Sequence, residues 1–292
     1  MRITEGMLSD QYLKNYNKIA EQKQKLQTQL STNSKINTLS DDLIGALQSI
    51  KVEAQIKKTD TYIKNVQTAN EFITSSLDSL DNMTTEIQKI MEIITSASDP
   101  LNAINYPSML QSIKDSLNAI VQDTNAKHND MYLFGGTNYT TPPVTIDING
   151  KAVITIEDVS GEVKVQLSQN VTDAINIPGN KIFGTGIFSA INNIIDSFAA
   201  GNAPDDAIKT GLNDAYNQLL NIQTLGGEKS NRFEDISALL SNQQTNLTGT
   251  LSNIQGIDIA KLAVDLQQQD YLLQISSKLF ANIFPKSIYD YL

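Results

Sequence analysis

The chain offers few side chains that could carry out chemistry. His128 is the only histidine, and there is no cysteine. Two-histidine metal sites, thiolate metal sites and cysteine nucleophiles are therefore excluded, and a Ser-His-Asp triad has one possible base. His128 lies in a polar run at the end of a predicted helix, where we expect a solvated residue rather than a catalytic one. We assign it no function.

Two adjacent carboxylates, Asp41 and Asp42, are the next candidates for a cation site or an acid and base pair. Because they precede a predicted helix, they are read more simply as a cap whose charge suits the helix dipole. The glycines at 184 and 186 lack a third glycine, and those at 135 and 136 follow no strand that leads into a helix, so neither group supports a phosphate cradle. We predict no catalytic residue, no metal ligand and no cofactor.

The composition narrows the class of protein further. The 292 residues carry a formal net charge of -10, 6% aromatic residues and 7 prolines, which favours elongated helical packing. No basic run is present, so nucleic acid is an unexpected partner. The first 30 residues have no apolar core typical of a cleaved signal peptide, and no run of about 20 apolar residues predicts a membrane span.

Helical periodicity begins with a heptad stripe in which spacings of 4 and 3 alternate. Pro100 ends it, since proline disfavours a helical residue before it, and a second helix is predicted near Pro107. The two should be antiparallel. The apolar members of the first stripe are Val52, Ile56, Ile63, Val66, Ile73, Leu77, Leu80, Ile87, Met91 and Ile94.

The period changes to two after Tyr132. Apolar residues alternate up to Asn149-Gly150, which predicts a tight hairpin turn, and continue past a second predicted turn at Ser160-Gly161. We therefore expect an antiparallel sheet in a β-rich insert domain, residues 132–203.

Helical spacing resumes near residue 204 and keeps one register through Gly226-Gly227. Two glycines would each cost about 1 kcal/mol in a helix interior. The unbroken register nevertheless predicts one continuous helix. Its packing residues are Leu212, Leu219, Ile222, Phe233, Ile236, Leu240, Leu247 and Ile254.

Each end of the chain has a shorter helical stretch beyond a joint, at residues 31–34 and 256–258. Their sparse apolar positions predict that residues 1–42 and 256–292 order on assembly, outside a helical rod of residues 43–131 and 204–255. The residues expected to contact other subunits are Leu8, Tyr12, Tyr16, Ile19, Leu26, Leu262, Leu266, Leu273, Phe280, Ile283, Phe284, Tyr289 and Leu292.

Three passages resemble the flagellin family. Residues 30–46 look like its LS-S/T-G-x-R-I-x-x-x-x-DDPAGA signature, with Asn or Ser for the glycine, Lys35 for the arginine and Leu43 for the proline. Residues 225–234, LGGEKSNRFE, resemble LGARxNRLE, and residues 258–260 fall at the D-x-A joint. Within the family, residues 131–137, MYLFGGT, and the ending SIYDYL look like those of the hook-filament junction proteins.

The resemblance implies a mainly α fold in which the N- and C-terminal segments form a long antiparallel helical bundle or coiled coil, with a small antiparallel β domain between them. It also implies an extracellular structural adaptor of the flagellum, exported without a cleaved signal peptide. The implied partners are further copies of the chain in a ring-like layer, the first hook-associated protein, flagellin and an export chaperone. A filament flagellin and a secreted helical effector or enzyme remain the alternatives.

Overall fold

The computed structural model describes residues 5–138, 140–156 and 158–283, and most of these are helical. The helices are α1 (Glu5–Thr32), α2 (Leu43–Ser96), a 3-10 helix η1 (Pro100–Asn105), α3 (Tyr106–Thr124), α4 (Gly179–Phe183), α5 (Ile187–Ala199), α6 (Asp206–Gln255) and α7 (Ile259–Ile283). The strands are β1 (Lys127–His128), β2 (Met131–Tyr132), β3 (Val144–Ile146), β4 (Ala152–Ile154), β5 (Lys164–Ser168) and β6 (Val171–Ala174).

The chain divides into two compact units. The terminal unit contains Met1–Lys58 and Gln244–Leu292, and the middle unit contains Thr59–Gln243. The N- and C-terminal segments thus share a unit. Long terminal helices with small antiparallel sheets between them are the predicted fold class, which is confirmed.

In the terminal unit, α1 and α7 pack against each other in antiparallel directions. The rings of Tyr12 and Phe280 stack with centroids 4.3 Å apart, and Lys23 Nζ lies 2.6 Å from Asp270 Oδ1. Among the described residues of this unit only Gly45, Ala46, Ser49 and Leu262 are buried. The α1–α7 pair is therefore held mainly by half-buried contacts.

The middle unit has one hydrophobic core shared by α2, α3, α5, α6 and the hairpins. The helix breaks lie where the sequence predicts them: Asp99 Oδ1 accepts the N–H of Leu101 to cap η1, and Pro107 lies in the first turn of α3. The seven buried residues of α5 follow helical spacing: Ile187, Phe188, Ala190, Ile191, Ile194, Ile195 and Phe198. Helices α4 and α5 lie inside the segment predicted to be β-rich and were missed.

The strands form three separate two-stranded antiparallel sheets rather than one alternating sheet. The predicted turn at Asn149-Gly150 joins β3 to β4, and Gly150 has a φ of +78°. The continuation past Ser160-Gly161 is wrong, because β5 pairs with β6 rather than with β4. The segment around Ser160-Gly161 is a loop, and the buried side-chain amide of Asn176 hydrogen-bonds to its backbone. The Val163 N–H donates to Asn176 Oδ1, and Asn176 Nδ2 donates to the Gly161 carbonyl.

Asparagine amides also attach the β3–β4 hairpin to the helices. Asn125, next to the end of α3, donates to the Val144 carbonyl at 2.7 Å and accepts from its N–H at 3.1 Å. Asn192 on α5 makes the same pair of bonds to Ala152, at 2.9 and 3.0 Å. An amide side chain offers one donor and one acceptor in the spacing of a backbone peptide, so it can satisfy an open strand edge. This use accounts for part of the asparagine content.

Helix α6 runs without interruption through Gly226 and Gly227, as predicted. A Cβ on Gly226 would lie 2.7 Å from Leu77 Cδ2 and 3.4 Å from Ile177 Cδ1, whereas a Cβ on Gly227 meets nothing within 4 Å. The first glycine therefore permits close approach of α6 to α2. The second has no such packing role.

Replacing each glycine by alanine is expected to separate these two roles. Gly227→Ala should stabilise the chain by about 0.5–1 kcal/mol, because alanine is the better helix former and space is open. Gly226→Ala makes the same gain, but its Cβ forces the terminal methyl of Leu77 to move, so we expect it to be less stable than Gly227→Ala. Urea unfolding followed by circular dichroism measures both, and equal stabilities would contradict a packing role for Gly226.

Candidate assembly interface

The heptad residues predicted on α2 between Val52 and Ile94 lie on the inner side of that helix. None of these residues is exposed to solvent. Val66, Ile73, Leu80, Ile87 and Ile94 are buried, and Val52, Ile56, Ile63, Leu77 and Met91 are half-buried. On α6, Leu212, Leu219, Ile222, Phe233 and Leu240 are buried, and Ile236, Leu247 and Ile254 are half-buried.

Polar contacts join the two helices within the middle unit. Ser230 Oγ donates to Asn70 Oδ1 at 2.7 Å, and Gln88 Nε2 donates to the Tyr216 hydroxyl at 2.5 Å. These pairs bring residues more than 120 positions apart into direct contact. The first and last parts of this unit thus pair lengthwise.

The heptad reading missed a second buried stripe on α2. It faces the other neighbours of this helix, and one contact is the Thr124 hydroxyl of α3, 3.7 Å from the Met83 sulfur. The members of this second stripe are Tyr62, Ala69, Phe72, Ser76, Met83, Ile90 and Ala97. Spacings of 3, 4 and 7 between them were the available signal. A helix packed on two sides needs a wider apolar face than a two-helix seam.

The residues predicted to contact other subunits lie mostly inside the α1–α7 pair. Leu262 is buried and Leu8 is 40% exposed. Tyr12, Tyr16, Ile19, Leu26, Leu266, Leu273 and Phe280 are half-buried. Ile283 is the last residue of α7, and Phe284, Tyr289 and Leu292 lie outside the described residues. Subunit contact by this set stays a prediction.

The loop between α1 and α2 shows what the two adjacent carboxylates do. Asp42 Oδ1 accepts the N–H of Gly45 at 2.9 Å, which is the geometry of an N-cap on α2. Asp41 Oδ2 accepts the N–H groups of Asn37 and Thr38 at 3.0 and 2.9 Å, and its Oδ1 lies 2.8 Å from Lys25 Nζ. Asp42 is the predicted cap, while Asp41 holds the loop itself.

The charge on Asp41 should make the terminal unit sensitive to acid. The Lys25 ammonium, followed by the two backbone N–H donors, holds the pKa of this carboxyl well below its usual range. A carboxyl with a lowered folded-state pKa stabilises the fold fully above its unfolded pKa of about 3.9. It loses that contribution progressively as the pH falls from there to the folded-state pKa.

We therefore expect Asp41→Asn to weaken the α1–α2 loop at pH 7 and to weaken it less at pH 3, because pH 3 lies between the unfolded pKa and the lowered folded-state pKa. Amide hydrogen exchange of residues 33–42 measured at both pH values checks this. Asp10→Asn, on the exposed side of α1, is the control and should leave that exchange unchanged. An equal effect of Asp41→Asn at the two pH values would contradict the role of its charge.

The joint between α6 and α7 touches the same loop. The Lys35 N–H donates to the Gln255 carbonyl at 2.9 Å, and Gln255 Nε2 donates to Glu53 Oε1 at 3.0 Å. Asp258 Oδ1 accepts the N–H of Lys261 at 3.1 Å and so caps α7. Both joints therefore consist of an irregular turn followed by an aspartate N-cap.

The first two turns of α2 are mostly apolar, with Gln48 as the exposed polar residue. Gly45, Ala46 and Ser49 are buried within the terminal unit. The opposite face is exposed and consists of four large residues, here called the α2 stripe: Leu43 (59%), Ile44 (71%), Leu47 (57%) and Ile50 (57%). Large exposed apolar residues on one helix face are typical of a face that another element or molecule covers.

Other side chains singled out in the sequence have structural contacts. His128 is half-buried rather than solvated: Nδ1 lies 3.1 Å from Ser75 Oγ, and the Phe72 ring meets the imidazole edge. Arg232 on α6 pairs with Asp173 of β6, which also lies 3.6 Å from Lys229 Nζ. These contacts attach hairpins to the long helices.

The glycine-rich passage at residues 131–137 is part of the middle core. Leu133 and Phe134 are 1% and 0% exposed, and Gly136 has a φ of +64°. A Cβ on Gly179 would lie 2.1 Å from the Phe134 carbonyl oxygen, so the start of α4 packs closely against this passage only because residue 179 has no side chain. The passage therefore turns the chain within the core.

Within the described ranges, no cluster of three or more His, Asp or Glu side chains is placed to hold a metal ion. No helix in those ranges is long and apolar enough to span a membrane.

The comparisons with known proteins match the helical regions at the two ends of the chain. Residues 3–139 match the bacterial flagellin N-terminal helical region, and residues 210–292 match the bacterial flagellin C-terminal helical region. The chain is 25% identical over 273 residues to a flagellin of Bacillus subtilis, covering 88% of each chain. It is 22% identical over 316 residues to flagellar hook-associated protein 3 of Escherichia coli, covering 99% of each.

A solved structure shares the fold. A flagellar hook-associated protein from Vibrio parahaemolyticus superposes with a TM-score of 0.65 at 18% identity, covering 74% of this chain and 100% of that one.

Proposed function

Because the chain belongs to the bacterial flagellin family, we propose that it is a structural adaptor that joins the flagellar hook to the filament. It acts outside the cell as part of the flagellum, and it contacts further copies of itself, the first hook-associated protein and flagellin. An export chaperone binds it before assembly. Helices α1 and α7, with the ends of α2 and α6, are the part that assembles.

The observation that carries this proposal is the exposed apolar surface of the terminal unit. Four large apolar residues of the α2 stripe are exposed in a unit that buries few side chains of its own. An exposed apolar patch on a protein marks an interaction surface. A terminal unit of this kind favours a subunit that completes its packing against neighbours.

The relatives favour a junction role over the filament itself. The match to flagellar hook-associated protein 3 of Escherichia coli spans 99% of both chains, whereas the match to the flagellin of Bacillus subtilis spans 88% of both. The Vibrio parahaemolyticus structure, also of a hook-associated protein, supports the same assignment.

Deleting the gene tests the proposal. We expect electron microscopy to show hooks without filaments, and we expect flagellin monomers in the medium, because the filament has nothing to start on. Restoring the gene on a plasmid is the control. Normal filaments in the deletion strain would contradict the junction role.

Filament flagellin is the second candidate, favoured by the 25% identity to the flagellin of Bacillus subtilis. A flagellin should polymerise alone into long filaments from purified monomer. An adaptor should form none at the same concentration, and filaments from the pure chain would establish the second candidate instead.

A further inference from the structure

The α2 stripe continues into basic residues on the same helix face. Lys51 lies one turn after Leu47, and Lys58 lies three turns after it, so all three share a side of α2. The terminal unit as a whole carries 12 Lys and Arg against 10 Asp and Glu, a net charge of +2. The stripe is thus an apolar patch with a basic margin.

The middle unit has an exposed apolar patch of its own at the turn between α2 and α3. Leu101 is 85% exposed and Ile104 is 86% exposed. Residues three apart in a 3-10 helix lie in line, so both point to one side of η1. The turn is firmly held, because Asp99 caps it and the Tyr106 hydroxyl donates to the Ala97 carbonyl at 3.1 Å.

The tip of the β3–β4 hairpin lies at the same end of the middle unit. Helix α5 contacts both features: the Phe198 ring meets the Tyr106 ring edge-on at 5.2 Å, and Asp196 lies 2.6 Å from Lys151 Nζ. Three residues before Lys151, Ile148 is fully exposed at the hairpin tip. We call Leu101, Ile104 and Ile148 the tip patch.

The tip patch is set in an acidic unit. The middle unit carries 10 Lys and Arg against 22 Asp and Glu, a net charge of -12. Asp99 and Asp147 lie within two residues of the patch. Asp147 accepts the N–H groups of Asn149 and Lys151, which lowers its pKa and keeps it charged. The two patches therefore combine apolar centres with margins of opposite charge.

We propose that the α2 stripe of one copy binds the tip patch of a second copy. The proposal rests on the junction role and names a contact between neighbouring subunits. Because the two patches differ, the contact is heterologous and can repeat from copy to copy until a ring closes. Opposite charge sets the pairing, since two stripes or two tip patches would bring like charges together.

The contact is expected to be weak between two isolated copies. Seven large side chains are far fewer than the 20–30 residues per partner of a standard interface. Association of the purified chain therefore needs a high concentration and should weaken as salt screens the charged margins. In a closed assembly each copy uses both patches at once.

Engineered cysteines test the contact in the full chain, which has no cysteine of its own. Leu47→Cys protein and Ile104→Cys protein are mixed at high concentration under mild oxidation. We expect a disulfide-linked dimer of one copy of each variant, and little dimer from either variant alone. Leu239→Cys, at another exposed leucine, replaces Leu47→Cys in the control mixture and should give only background cross-linking.

Charge-bearing variants give a second measurement. Leu47→Asp and Ile104→Asp should each abolish the association of the pure protein, measured by sedimentation. A mixture of the two should recover dimers and nothing larger, because one intact stripe and one intact tip patch remain. Dimers of Ile104→Asp alone would instead show a contact between two stripes and would overturn the proposal.

Absence of the mixed cross-link up to about 1 mM protein, the range of the weakest specific complexes, also overturns the contact. That failure is distinguishable from failure of the junction role. If gene deletion still leaves hooks without filaments, the adaptor function stands and the contact is wrong. If deletion leaves normal filaments and the mixed cross-link is present, the contact stands and the adaptor function is wrong.

Discussion

A fragment comprising residues 59–243 is expected to fold on its own and to unfold cooperatively. The fragment is one continuous stretch of chain and contains the whole middle unit, with its shared hydrophobic core. The terminal unit it lacks buries few side chains among its described residues. Its removal should therefore take little from the stability of the core.

Thermal unfolding followed by circular dichroism compares the fragment with the full chain. The main transition should shift by only a few degrees, since about 1 kcal/mol moves the midpoint of a domain of this size by roughly 2–4 °C. Limited proteolysis of the full chain should cut first before about residue 40 and after about residue 256, leaving a resistant core. A fragment without a cooperative transition would contradict the independence of the middle unit.

Truncating Leu240 to alanine is expected to destabilise the chain by about 2–5 kcal/mol. Leu240 is 3% exposed on the inner face of α6, and removing a buried leucine leaves a cavity as well as losing apolar contact. Its neighbour Leu239 is 67% exposed on the same helix. Leu239→Ala should therefore change stability by no more than about 0.5 kcal/mol.

The pair is a matched test of the packing register. Both variants remove the same atoms from adjacent positions of one helix, so helix propensity cancels in the comparison. Urea unfolding gives the two free energies. If Leu239→Ala were the more damaging change, the register that runs through Gly226 and Gly227 would be wrong.

The long helices could be predicted because their periodicity is regular over many turns. The register through Gly226 and Gly227 outweighed the low helix propensity of glycine, and the structure shows one helix there. The hairpin at Asn149-Gly150 could also be predicted from the sequence, since it depends on a local turn that needs a positive φ.

The parts that could not be predicted depend on distant partners. The pairing of β5 with β6 was misassigned because Ser160-Gly161 resembles a turn, and only the Asn176 amide reveals it as a loop. The apolar residues of helix α5 have clear helical spacing, but the helix was missed because residues 132–203 were assigned as a whole to a β-rich insert. The second buried stripe of α2 exists because two neighbours, not one, pack on that helix.

The candidate interface was only partly accessible from sequence. The apolar run at the start of α2 precedes Val52, where the heptad stripe was taken to begin, so it was left out of the predicted contacts. The residues predicted to contact neighbours on α1 and α7 instead lie largely between those two helices. Periodicity finds an apolar face, but it does not tell which partner covers that face.

The three hairpins are each closed by residues that are near neighbours in the chain, the farthest register pair joining Val144 to Ile154 and Lys164 to Ala174. Short loops of this length close within microseconds or less, long before Asn70 can find Ser230 across 160 positions. The unfolded chain can therefore form its small sheets before its long helices meet. The rate at which it becomes a usable building block is then set by the meeting of α2 with α6.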